Sequence, residues 1–421
     1  MNEDKATRYH RLKRQAHVAS LVWSVALLGG LLWSGLTLTL RSVADAVAAS
    51  TAPGFSPQLS HLSQLLHLLK LSHLLHVAYV AHVPYVSSLS YVASGFSRTF
   101  WAFGRTETIV VYVSMLTLLN EIGAAPIAFY TGFLLERRYG LSNERFAGWV
   151  GTQLKSLAIG LLLASVGTLV LYGLIARFPQ HWWVMAGLAF SVFIVGLTHL
   201  TPILLLPIFY RVKPLQRESL RARLLALAER AGARVLGAYE WGLSDKTRKA
   251  NAALAGLGST RRILVSDTML AEYSDEEIEV VLAHELAHHV HGDIWKGIVF
   301  ESGLILAAFY LAARLLEALQ TPIGLRGVED VAGLPLLVLA AGAVSLVMLP
   351  VAHAISRAYE RRADRFALDL TRNPEAFISA LRRLGAQNLA EEHPSKIVQW
   401  LFYSHPPLRD RIAAAQSFAN R

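Results

Sequence analysis

The sequence predicts a mainly α-helical, polytopic membrane protein: a bundle of six transmembrane spans, or seven if segment 59–86 also crosses, carrying a small cytosolic α+β unit. Three observations predict it. Of 421 residues, 53% are hydrophobic and only 17% charged, with a mean hydropathy of +0.39, which is too apolar for a soluble chain of this size. The apolar residues gather into runs long enough to cross a bilayer. One long polar section, 211–292, interrupts those runs and breaks into a helical stretch and short strand-like pieces.

Lys5, Arg8, Arg11, Lys13 and Arg14 precede the first apolar run, 18–40. That run is longer than the core of a secretion signal and lacks a persuasive cleavage site, so it reads as a retained span with its basic end in the cytosol. Segment 59–86 is amphipathic: Leu62, Leu65, Leu66 and Leu69 share one helical face, Ser60, Ser63, His67 and Lys70 another, which favours an interfacial helix or one lining a wet cavity. Its histidines match no common ligand spacing. The second span, 108–135, holds Asn120, Glu121 and Pro126, and a carboxylate at that depth should face the bundle interior or water. Glu136, Arg137 and Arg138, with Arg145 and Lys155, mark a cytosolic turn before spans 156–174 and 182–210.

Within 211–292, a helix is expected over 219–231 and strand-like pieces over 235–241, 249–254 and 262–266. Two further spans follow at 294–316 and 334–355, the last returning to the cytosol at Arg357, Arg361 and Arg362. The chain therefore divides into an N-terminal membrane domain, 1–210, and a second domain, 211–421, that holds the polar unit, the last two spans and a cytosolic tail. Counting 59–86 as a span would force the basic N-terminus outside. The formal charge of +10 does not point to nucleic acid, because Lys and Arg cluster beside apolar runs, where they orient helices and meet anionic lipid. With no cysteine, disulfides and thiolate metal sites are excluded, leaving histidine and carboxylate as metal ligands.

Those ligands occur together. His284-Glu-Leu-Ala-His288 sits in a helix announced by Ser274 and Glu277, a capping box. Positions i and i+4 share a helical face, so both imidazoles can hold one Zn2+, and Glu285 lies where a carboxylate can accept a proton from an activated water. Ile278, Val281, Leu282 and Leu286 form an apolar stripe that buries this helix. His291 and Ile294 stand where a metzincin would have Gly and His, so the third ligand must come from elsewhere. After the sixth span, Glu360 and Asp364 are four residues apart. Glu360 could supply a carboxylate ligand, leaving one coordination position open, and Asp364 could orient a ligand or grip an arginine. The same stretch also reads as an exposed helix laced with i, i+4 charges.

Five stretches in order make the chain resemble the integral-membrane zinc proteases of the type I CAAX prenyl endopeptidase family and related bacterial membrane heat-shock peptidases. They are Phe129-Tyr-Thr-Gly-Phe-Leu-Leu-Glu-Arg-Arg-Tyr-Gly-Leu-Ser142, continued over 149–155; Asn251-Ala-Ala-Leu-Ala-Gly-Leu-Gly258 with Arg261-Arg-Ile-Leu-Val-Ser-Asp-Thr268; the His284 to His288 motif; 360–364; and His405-Pro-Pro-Leu-Arg-Asp-Arg411. The resemblance implies a zincin-like unit with one Zn2+ on His284, His288 and Glu360, a gluzincin-type arrangement, with Glu285 as general base and acid. It implies that Asn251 and Ala252 hold substrate backbone by strand addition, that His405 stabilises the oxyanion, and that Arg411 pairs with Asp364. Family members usually have seven spans around a large intramembrane chamber, whereas the charges here favour six, and residues 42–105 do not match the family pattern. The expected activity is zinc-dependent cleavage of membrane-associated, unfolded or lipidated polypeptides in a bacterial inner membrane, with polypeptide and membrane lipid as partners. A membrane chaperone or transporter holding a structural zinc is the alternative, and Glu285 argues against it, since a structural site needs no base.

Overall fold

The computed structural model describes residues 4–51, 106–256 and 260–420; the amphipathic segment 59–86 lies outside them. Helix α1, Lys5–Trp33, begins well before the expected span 18–40. Ala6, Tyr9 and Ala16 are buried, so the basic N-terminal residues belong to a packed helix rather than to a tail. The expected run does not continue to residue 40. Ser34 caps α1, Gly35 takes a left-handed φ of 73°, and α2, Leu36–Thr51, starts anew.

Helix α3, Thr106–Phe129, contains Pro126 and continues through a π-helical turn, Tyr130–Leu135, into Glu136–Arg138. A proline removes one backbone donor, and a widened turn nearby is one way a helix accommodates that loss. Then follow α4, Phe146–Arg177, and α5, Trp182–Leu200, the latter extended through a second π turn, Thr201–Leu205, that carries Pro202. Two more long helices, α9, Asp293–Leu319, and α10, Leu334–Thr371, complete the bundle, with the polar section 211–292 lying between α5 and α9 in sequence. Among the described residues, five helices are long and apolar enough to cross a membrane: α1, α3, α4, α9 and α10. The shorter apolar α5 stands where the expected fourth span lies. Their shared core is built around Tyr112, Leu171, Ile175, Trp182, Leu316 and Leu337.

Between α5 and α9 the chain forms a four-stranded sheet: β1 Val212–Pro214, β2 Gly237–Trp241, β3 Ala252–Ala255 and β4 Arg262–Ser266. Its order is β1-β2-β4-β3. Strands β2 and β4 run parallel and the outer pairs antiparallel, with Ala252 opposite Val265. Three strands fall where the sequence predicts them; β1 was not expected, because three residues ending in proline carry no period-2 signal. Helices α6, Glu218–Arg230, α7, Asp267–Glu272, and α8, Asp275–Val290, cover the sheet. Leu220, Leu224, Leu227, Ile263, Val265, Ile278 and Leu282 form the core beneath them. Helices α11, Pro374–Gln387, α12, Lys396–Phe402, and α13, Leu408–Ala419, close the unit. The core also takes in Ala367 and Leu368 from the end of α10, so the last span and the motif helix are packed as one piece.

Candidate active site

Helix α8 starts where the sequence places it. Ser274 Oγ accepts from the Glu277 N–H at 3.2 Å, and Glu277 Oε2 accepts from the Ser274 N–H at 2.9 Å. Both orphaned donors of the first turn are thereby satisfied. Glu277 also accepts from Ser379 Oγ and Arg383 Nε, which ties α8 to α11. Ile278, Leu282 and Leu286 face the core, and this rotation turns His284 and His288 together towards α10.

The two Nε2 atoms are 3.3 Å apart, with the rings nearly perpendicular at 85°. Glu360 on α10 brings Oε2 to 3.3 Å from His284 Nε2 and Oε1 to 3.4 Å from His288 Nε2. Donors held about 2.0–2.1 Å from one tetrahedral ion are separated by roughly 3.3–3.4 Å, so this spacing fits a shared cation. Glu360 Oε2 is buried without a hydrogen-bond partner in line, although His405 Nδ1 lies 2.8 Å away. That is the condition of an oxygen whose lone pair is directed at a common centre. Among the described residues, His284, His288 and Glu360 are the group of donors close enough to hold one metal ion.

Each imidazole is also held from behind. His284 Nδ1 is 2.9 Å from Asp364 Oδ1, and Arg411 grips the same carboxylate through two bonds, Nη2 to Oδ1 at 2.5 Å and Nε to Oδ2 at 2.8 Å. His288 Nδ1 is 3.1 Å from Asp293 Oδ2, and Arg362 bonds the other oxygen of Asp293. These contacts fix which ring nitrogen faces the centre. Burial pulls the His284 imidazole down, but the Asp364 and Glu360 carboxylates outweigh it and hold its pKa at about 9. His288 is raised in the same way, burial being overcome by Glu360 and Asp293. The local field therefore favours positive charge between the rings. Burial pushes the Glu285 carboxyl up, with the two histidines partly offsetting it, and a raised carboxyl suits a group that must both take and return a proton.

His284 and Glu360 border a cavity of about 260 Å³ whose walls also include Asn251, Ala252, Glu285, His405 and Arg411. Strand β3 ends the sheet, leaving one side of its backbone without a strand partner among the described residues. At its entrance the Asn388 amide brackets Ala250, accepting from its N–H at 3.2 Å and donating to its C=O at 3.3 Å. Opposite, His405 stands 61% exposed, open to a molecule entering the cavity. Seven of the nine residues singled out from sequence line this cavity; the other two, His288 and Asp364, stand behind it against Glu360 and His284. Two further residues were not foreseen. Asp293 lies five residues past His288, brought back by Gly292 at a φ of 67°; the signal was an acid just past the motif. Asn388 had no local signal. His291, by contrast, caps α8 and packs edge-on against Phe366, outside the cluster.

Comparison with known proteins yields two family matches that adjoin. A model described as CAAX prenyl protease N-terminal, five membrane helices, matches residues 3–211, and one described as Peptidase family M48 matches residues 214–419. The Bacillus subtilis protein named Uncharacterized metalloprotease YhfN is 30% identical over 315 residues, covering 74% of each chain. CAAX prenyl protease 1 of Saccharomyces cerevisiae is 25% identical over 323 residues, covering 72% of this chain and 71% of that one. The crystal structure of S. mikatae Ste24p superposes with a TM-score of 0.70 at 19% identity, over 93% of this chain and 99% of the other. At that identity the superposition speaks for the fold.

Proposed function

We propose, since this chain belongs to peptidase family M48 and is a membrane-embedded metalloprotease, that its metal is a single Zn2+ held by His284, His288 and Glu360. The observation that carries this is the convergence of those three donors, 3.3–3.4 Å apart, beside the Glu285 carboxylate. Two imidazoles and one carboxylate, with no thiolate in the chain, suit zinc and leave a position open for catalysis. When bound, the ion supplies Lewis acidity to the scissile carbonyl and to the attacking water.

The chain's own residues do the rest. A peptide lying along β3 would pair its backbone with the free edge at Asn251 and Ala252. Glu285 accepts a proton from the water as its oxygen bonds to the carbonyl carbon. It then returns that proton to the amide nitrogen as the C–N bond breaks, giving a carboxylate and an amine. His405 donates towards the oxyanion. Asp364 and Arg411 hold the His284 ring, and Asp293 the His288 ring.

The substrates we propose are membrane-associated, unfolded or lipidated polypeptides, since the cleft joins a bundle of membrane helices. Residues 1–210 would form the membrane domain and 211–421 the peptidase domain. Lys13, Arg14, Arg137 and Arg357 all lie at the end of the bundle that carries the sheet, supporting a catalytic unit on the cytosolic side of a bacterial inner membrane. Cleavage of an unstructured reporter by purified protein tests the catalytic reading. Glu285→Gln should lose about 10²–10⁴-fold in kcat while keeping one metal per chain. Equal cleavage by wild type and variant would instead favour a membrane chaperone or transporter with a structural ion.

A further inference from the structure

The first turns of α1 carry Tyr9, His10, Lys13 and Arg14, which composition alone explains as an orienting charge cluster. In the fold they do something more specific. Tyr9 is 1% exposed and packs against Tyr139 with ring centroids 5.2 Å apart and the rings tilted by 55°. Its hydroxyl donates to Glu136 Oε1 at 2.5 Å and accepts from Lys13 Nζ at 3.1 Å and from Lys249 Nζ at 3.3 Å. Lys249 also pairs with Glu136 Oε2 at 2.8 Å. Lys249 is two residues before Asn251, and its C=O accepts from Thr268 Oγ1 at 2.9 Å. The entrance of β3, one wall of the cleft, is thus fastened to the first helix and to the end of α3.

The next face of the same helix turns reaches the segment that runs from Asn388, beside β3, to His405 on the opposite wall. His10 Nε2 is 2.8 Å from the C=O of Leu389, a non-glycine residue at a φ of 52°. Leu389 follows Asn388, whose amide brackets Ala250. Arg14 Nη1 donates to Glu391 Oε2 at 2.6 Å and to the Tyr403 hydroxyl at 3.2 Å, and that hydroxyl bonds Glu391 in turn. Glu391 has a side chain only 4% exposed. Tyr403 is two residues before His405. A single helix therefore holds both sides of the cavity through partly buried bonds, and those made by Lys13, Arg14 and Lys249 are charge-assisted, the stronger kind.

We propose that the first turns of α1 act as a clamp that sets the separation of β3 from the His405 segment, with Tyr9, Lys13, Arg14 and Lys249 as positioning residues for an extended peptide. None of them borders the cavity, so they act through Asn251 and His405; the proposal rests on the proteolytic reading above. The Lys249 arm acts on the binding of substrate backbone, and loosening such an edge removes interactions made equally in the ground and transition states, which raises KM. The Arg14 arm ends beside His405, so it also acts on the chemical step.

Steady-state cleavage of an extended, unstructured peptide by the purified full-length chain tests it. Lys249→Met should raise KM about tenfold with kcat within about twofold of wild type, and Arg14→Leu should lower kcat/KM about tenfold, metal content being unchanged in both. Lys249→Arg, and the exchange Arg14→Glu with Glu391→Arg, should bring kcat/KM back to within about threefold of wild type. An unchanged kcat/KM in either single variant overturns the clamp; so does a joint fall of kcat/KM and melting temperature that neither the conservative nor the exchanged variant repairs. If Lys249→Met does not fold, Tyr9→Phe, which removes one hydroxyl, is judged by the same criterion. Hydrogen exchange gives a readout independent of turnover: amides of 252–255 and 404–405 should exchange faster in the variants, and equal exchange refutes the proposal. Failure of Glu285→Gln to slow cleavage would count against the proteolytic reading alone.

Discussion

Both ring nitrogens of His284 and of His288 are committed, one to the shared centre and one to a carboxylate behind it. For His284 that carboxylate is Asp364, itself gripped by Arg411 at two points; for His288 it is Asp293, bonded by Arg362. Removing Asp293 should let the His288 ring rotate and lose the polarisation of its ligating nitrogen. Asp293→Ala is therefore expected to weaken metal binding by about 10–100-fold, read by competition with a chromophoric chelator; wild-type affinity in the variant would show that His288 needs no such support. Glu360→Ala should cost more, since it deletes a proposed ligand rather than the support of one. The motif histidines were legible because i, i+4 spacing is a property of any helix. Asp293 was not, because the chain turns at Gly292 and the helical period no longer says which side chains meet.

At the scale of elements, the packing of helix on helix decides more than the propensity of either. Gly123 of α3 faces the Trp23 indole of α1 so closely that a Cβ there would lie 1.9 Å from a ring carbon. The indole also donates to the Asn120 C=O at 3.1 Å. Gly123→Ala should thus push the ring off its carbonyl and destabilise the α1–α3 pair by about 1–3 kcal/mol, seen as a lower melting temperature and a shifted tryptophan emission. An unaltered emission and melting temperature would mean the helices separate without cost. The start of α8 is a contrasting case, because its capping box is local in sequence and was readable from Ser274 and Glu277 alone. The break between α1 and α2 was passed over although Ser34-Gly35 is a turn-forming pair, because the apolar runs on both sides read as one span.

For the whole molecule, the proposed ligands sit on helices that the apolar core already holds. Ile278, Leu282 and Leu286 of α8 pack with Ala367 and Leu368 of α10 in one cluster, which by itself fixes the relation of the two helices. Chelation should therefore abolish cleavage, and added Zn2+ restore it, with little change in far-ultraviolet circular dichroism. A collapse of helical signal on chelation would mark the metal as a structural brace instead. The charge pattern makes a further claim about the whole: tags at either terminus should be reachable only from the side that holds the peptidase unit. A terminus accessible from the opposite face would reverse the proposed orientation.

By itself, the sequence determined that the chain is helical and membrane-bound, that its polar middle is a small α+β unit, and that a two-histidine, one-carboxylate chemistry was available. Each rests on a local quantity: hydropathy over a span, a period of 3.6 or 2, a spacing of four. What only the tertiary structure decided is which distant groups complete the site. Glu360 meets His284 because α10 leaves the bundle alongside α8, and Asn388 meets Ala250 because the tail folds back over β3. Tyr9 and Arg14 reach the two walls of the cleft because the first helix runs past both. No window of sequence contains such pairs, since their separation along the chain is set by topology while their contact is set by the packing of whole elements.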